Sequence, residues 1–136
     1  MAINLSYPKP RSTQTKMFQV TRSDTSAAIK TWLPKNSVIT GEYIIGAVSS
    51  DATTSAAVSV GTTASSDELI SAFSVLTTTG EGYHAAGAAS VGSAMATPLT
   101  VDTPVYAKYA GVGAESTGGP WTVKIEYFVT GPNETL

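Results

Sequence analysis

The 136-residue chain contains no cysteine and a single histidine, His84. A small fold stapled by disulfides is thereby excluded, and so are thiol chemistry and the Cys- and His-rich zinc sites. A serine hydrolase needs a base next to its nucleophile, and only His84 is available. No G-x-S-x-G elbow accompanies it. His84 lies among Gly80, Glu81, Gly82 and Gly87, a glycine-rich setting that argues against a helical Glu81–His84 pair. The expectation is therefore no catalytic residue, no metal and no cofactor.

Long apolar runs are also missing. No stretch approaches the roughly 18 residues that a membrane helix needs. Residues 1–11 carry no apolar core of a secretory leader, so synthesis in a cytoplasm and no membrane partner are expected. Charge is sparse, at 13% of residues, and helix formers are few. Ser and Thr together number 36. Thr and Val suit pleated surfaces, whereas Ser, Gly and Asn suit turns, so the composition reads all-β.

Basic residues are absent from Asn36 to Ala107. Six of the eight (Lys9, Arg11, Lys16, Arg22, Lys30 and Lys35) fall in the first 35 positions, opposed there only by Asp24. That segment carries +5 and the remainder −7. The start of the chain is apolar-poor and holds Pro8 and Pro10. Residues 1–14 are therefore expected to form an extended arm that docks on an acidic surface, with residues 15–136 as a single β domain. The opposing reading is a solvated extension whose charges only aid solubility. Nucleic acid is not an expected partner, because the basic residues are dispersed and few aromatics lie among them.

Period-2 alternation marks the strands. It is clearest at the end, where Trp121, Val123, Ile125, Tyr127 and Val129 share one parity. Thr122, Lys124, Glu126 and Thr130 share the other, expected to face solvent, with Phe128 as an apolar exception. Val105, Ala107 and Tyr109 repeat the pattern. The glycine-rich stretch from Gly111 to Pro120 between the two runs predicts a hairpin. Earlier candidates are Thr15–Arg22, with Phe18 and Val20 on one face, and Ala27–Leu33. In the latter, Ile29 and Leu33 face one way and Trp32 the other. Val38–Val48 is interrupted by Gly41 and Gly46, which predict a bulge or a close approach. Ala56–Gly61 directs Val58 and Val60 inward. Asp67–Leu76 fits either a capped helical turn or a strand. Residues 77–96 read as irregular chain with one weak strand at most. The sum is an antiparallel jelly roll or β-sandwich of about eight strands with an extended N-terminal arm.

The order of segments resembles small accessory proteins of tailed bacteriophage virions. The likeness covers about two thirds of the chain. It runs through Ile39-Thr40-Gly41-Glu42-Tyr43-Ile44-Ile45-Gly46, Ala57-Val58-Ser59-Val60-Gly61-Thr62-Thr63 and Asp67-Glu68-Leu69-Ile70. It continues through Thr97-Pro98-Leu99-Thr100 and Thr103-Pro104-Val105-Tyr106-Ala107 to Val123-Lys124-Ile125-Glu126-Tyr127. The resemblance implies a non-enzymatic cement or decoration protein, dimeric or trimeric, on the outer surface of a phage capsid. The major capsid protein and further copies of the chain would be its partners. It would be located in the virion after assembly in a bacterial cytoplasm. It supplies no catalytic residue. From charge and exposed aromatics, the expected contacts are Lys9, Arg11, Lys16, Arg22, Tyr106 and Phe128. The alternative is a carbohydrate-binding β-sandwich module of a phage fibre or similar surface protein, built on an aromatic platform from Trp32, Tyr43, Tyr83, Tyr106 and Phe128.

Overall fold

The computed structural model describes residues 12–46, 48–65, 68–76 and 97–131. Seven strands occur among them: β1 (Gln14–Val20), β2 (Ala28–Leu33), β3 (Ser37–Gly46), β4 (Ser55–Gly61), β5 (Ile70–Ser74), β6 (Thr103–Val112) and β7 (Trp121–Val129). The described residues contain no helix, and the protein is an all-β sandwich of two antiparallel sheets. One sheet has the order β1-β7-β3 and the other β2-β6-β4-β5. Strands β1 to β4 alternate between the sheets, and the first and last strands pair, which is the weave of a jelly roll.

The inward parities of both sheets meet in one core. Val20, Ile39, Ile44, Trp121, Val123 and Ile125 come from the first sheet. Leu33, Val58, Val60, Ile70, Val105 and Tyr109 come from the second. All of these side chains are at most 1% exposed, so the alternation in β7 and β6 reports burial faithfully. Phe18 packs against this core and Val20 lies within it, as their spacing predicts. The ambiguous 67–76 segment holds strand β5, antiparallel to β4. Glu68 turns back on the loop before it and accepts the Thr62 N–H at 3.0 Å and the Ser65 hydroxyl at 2.9 Å.

Three sequence expectations change. First, β6 and β7 form no hairpin, because they lie in different sheets. β6 pairs with β2 and β4, and β7 pairs with β1 and β3. The connection, residues 113–120, crosses from one sheet to the other. Each strand buries one face, and stacking those faces across the sandwich covers both, which a shared two-stranded ribbon does not. Gly118 (φ 139°) and Gly119 (φ 67°) give the crossing a backbone path that side chains rarely adopt, next to the cis Gly119–Pro120 bond.

Second, Ile29 and Leu33 do not share a face. The register of β2 on β6 shifts between Ile29 and Thr31, so Ile29 turns outward at 46% exposure while Leu33 is fully buried. One extra residue in a strand reverses every side chain before it. Third, the outer parity is not fully wet: Lys124 and Glu126 are half-buried because β7 is the central strand of its sheet, and Thr130, just past its end, is buried and donates its hydroxyl to the Asn36 carbonyl at 3.0 Å. Lys124 and Glu126 pair at 2.8 Å, and the Lys124 ammonium lies 5.2 Å from the Tyr43 ring centroid.

The two glycines of β3 behave as their positions suggest. The register on β7 shifts between Ile39 and Gly41, a bulge. Gly46 allows the indole of Trp121 to come so close that a Cβ there would lie 2.2 Å from its Cδ1.

Candidate interaction surface

At the end of the sandwich where the 113–120 crossing runs, polar side chains lock two loops together. Asp51 precedes β4 and accepts from the Ser116 N–H at 2.8 Å, the Ser116 hydroxyl at 2.7 Å and the Thr117 N–H at 2.9 Å. The Thr117 N–H, followed by the Ser116 hydroxyl, favours the charged carboxylate and holds its pKa far below the usual range. Beneath it, Tyr109 donates its hydroxyl to Glu115, and that hydroxyl also lies 2.8 Å from the Ser50 hydroxyl. Burial, reinforced by Glu115, raises the Tyr109 pKa. Ser50 and Tyr109 are buried and bonded to one another, an arrangement that fixes loops.

Glu42 is different. It stands opposite Ile125 on the inward parity of β3, two residues from the buried Ile44, and is 0% exposed. Neither carboxylate oxygen has a hydrogen-bond partner among the described residues. Burial alone pushes its pKa up to about 8. By sequence, Glu42 is only one acid among several. Its even spacing with Ile44 and Gly46 inside the apolar Val38–Val48 run is the signal that it points inward.

The opposite flank, between edge strands β1 and β2, holds a solvent-open cleft. The inward parity of β1 is apolar at Val20 and Phe18 but polar at Lys16 and Gln14, so the core ends there. Across the gap lie Trp32, Leu33, Pro34 and Asp102, with Tyr127 completing the lining. The cleft walls are tied in place. Asp102 accepts the Lys35 N–H at 2.8 Å, and Gln14 accepts the Tyr127 hydroxyl at 3.3 Å. Trp32 is 52% exposed, a large apolar surface left to solvent on an edge strand.

The residues expected to contact a partner are dispersed. Lys9 and Arg11 lie outside the described residues. Lys16 lines the Trp32 cleft. Arg22 stands beyond the far end of β1, in a second open cleft with Glu115 and Gly118. Tyr106 occupies the outward parity of the β2-β6-β4-β5 sheet and Phe128 that of the other sheet, both half-buried. Of the remaining aromatics, Tyr43 shares the outward parity of Phe128's sheet and Trp32 lies on the β2 edge, so these four form no single platform. Tyr83, His84 and Glu81 lie outside the described residues. Among the described residues, no three His, Cys, Asp or Glu side chains gather as metal ligands would. Lys16, Arg22, Lys30 and Lys35 belong to the β body, and Lys30 is engaged by Asp24 at 2.9 Å.

No protein-family model matches the sequence, and no curated protein resembles it. Solved structures do share its fold. A chain of the cyanophage Pam1 capsid asymmetric unit is 20% identical, with 96% of this chain and 94% of that chain covered and a TM-score of 0.59. A chain in a capsid structure of Helicobacter pylori bacteriophage KHP30 is 12% identical, over 87% of this chain and 86% of that one, with a TM-score of 0.61. A chain of the capsid of Ralstonia phage GP4 is 18% identical, over 93% and 90%, with a TM-score of 0.56. Identities this low carry the fold and nothing finer.

Proposed function

We propose that the chain is a non-enzymatic structural component of a phage virion, one that binds the outer surface of the capsid as a homo-oligomer and stabilises the shell. One observation carries this reading. The fold extends over nearly the full length of chains found in three phage capsid structures, so the likeness is to a whole subunit rather than a shared module. The chemistry agrees. The polar clusters of the described residues are consumed in locking loops, and the exposed apolar side chains Met17, Trp32 and Val101 offer contact area instead. The proline-containing basic start of the chain is the proposed grip on a neighbouring copy or on the capsid, working through several contacts because exposed charge pairs are individually weak.

The test uses empty capsids of the phage that encodes the chain. Added protein is expected to co-sediment with them and to raise the temperature at which they rupture. High salt should weaken the binding, since charges at the surface are screened over about 8 Å at 0.15 M. Capsids that neither bind the protein nor gain stability from it would refute this function.

A further inference from the structure

The Trp32 cleft lacks an occupant of its own among the described residues, and the chain supplies a segment whose chemistry fits it. Residues 1–11 include Tyr7-Pro8-Lys9-Pro10-Arg11, with two basic residues and no acid. The rest of the chain holds the other six basic residues and all ten acidic ones. A Pro-x-Pro segment is pre-extended, because proline fixes its own φ and restricts the residue before it. Such segments dock on exposed aromatic rings in grooves. The cleft presents the half-exposed Trp32 beside Pro34, with the Asp102 carboxylate alongside to meet Lys9 or Arg11.

The backbone indicates which copy the segment comes from. Gln14 lines the cleft and opens β1, and Ser12 and Thr13 before it make neither a turn nor a bend. The chain therefore enters β1 at the rim of its own cleft, with no reversal at Ser12 or Thr13. Pro10 is four residues from Gln14 and Tyr7 seven, a reach of up to about 13 to 25 Å. Entry into its own cleft would need a reversal within the short stretch that holds Pro8 and Pro10, whereas the arm of a neighbouring copy can enter extended.

We propose that the cleft formed by Gln14, Lys16, Trp32, Pro34, Asp102 and Tyr127 receives residues 7–11 of a second copy of this chain, so that the oligomer is held by exchanged arms. Reciprocal exchange closes a dimer, and head-to-tail exchange closes a ring. The proposal rests on the self-association part of the function above and fails separately from capsid binding.

The experiment measures mass in solution by light scattering on the full chain and on three full-length variants: Trp32→Ala, Trp32→Phe, and Lys9→Glu combined with Arg11→Glu. The full chain and Trp32→Phe are expected at two or three times the chain mass. Trp32→Ala and the charge-reversed arm are expected at one. A synthetic peptide of residues 1–13, titrated into the charge-reversed variant, is expected to shift indole emission saturably. It should shift far less in the same variant carrying Trp32→Phe. This titration keeps the proposal falsifiable should Trp32→Ala fail to fold. A monomeric full chain overturns the exchange, even if that monomer binds capsids. An oligomer that persists with the charge-reversed arm, together with a peptide that produces no shift, overturns it as well.

Discussion

Tyr109 and Trp121 stack with ring centroids 5.1 Å apart and planes inclined by 12°, although their strands belong to opposite sheets. The pair closes the sandwich at the end where the chain crosses over, and the Tyr109 hydroxyl ties Ser50 and Glu115 into the same contact. Aromatic pairs of this kind add about 0.5–1.5 kcal/mol beyond the area they bury. Tyr109→Phe keeps the stack and removes the hydroxyl. It should lower stability by about 1–2 kcal/mol, the cost of leaving buried partners short of a bond. Urea denaturation followed by Trp fluorescence checks this, and an unchanged midpoint would show that the hydroxyl bonds contribute nothing.

Gly46 is required by the same indole. Gly46→Ala places a Cβ 2.2 Å from Trp121 Cδ1, so the indole or the backbone must shift within a close-packed core. The expected cost is about 1–3 kcal/mol, as for other overpacked sites. Thermal melting of Gly46→Ala beside the unaltered protein measures it, and equal melting temperatures would mean that Trp121 moves freely.

Along β7, Ile125→Ala should cost about 2–5 kcal/mol, because Ile125 is fully buried. Lys124→Ala should cost less than about 1 kcal/mol. Its ammonium touches Tyr43 and Glu126 on a wet face, where such contacts are weak. If denaturation curves of the two variants coincide, the assignment of faces in β7 is wrong.

Glu42 makes stability depend on pH. Its folded-state pKa, about 8, lies above the ordinary value of 4.5, so folding favours the neutral carboxyl. Below pH 4.5 this group costs nothing in ionisation. Between about pH 4.5 and 8 the unfolded chain ionises while the folded one resists, and stability falls as pH rises. A tenfold difference in proton affinity corresponds to about 1.4 kcal/mol, so the loss at pH 8 is on the order of 3–5 kcal/mol. Glu42→Met, apolar and of similar shape, should melt well above the unaltered protein at pH 8 and close to it at pH 4.5. A difference that does not vary with pH would show that Glu42 is ionised in the folded state.

Most of the fold was legible because strand burial is periodic. Trp121, Val123, Ile125 and Tyr127 announced an inner face, and all four are buried. Val58, Val60, Phe18 and Val20 did the same, and Gly41 announced its bulge. Less was legible at the cleft. Trp32 read as an exposed aromatic, but nothing local shows that Asp102 and Tyr127 lie beside it, since they come from positions far along the chain.

The amino-acid sequence by itself determined that the chain is all-β, where most strands lie, which parity of the final strands is buried and that no thiol is present for disulfides or thiol chemistry. Those properties follow from composition and from a two-residue period, which are local. Only the tertiary structure decided that β6 and β7 part into separate sheets, that the bulge in β2 turns Ile29 outward and that Glu42 is enclosed without a partner among the described residues. A strand's pattern states that one face must be covered. Which other strand covers it is settled by fitting both sheets at once, and that choice depends on residues far apart in the chain.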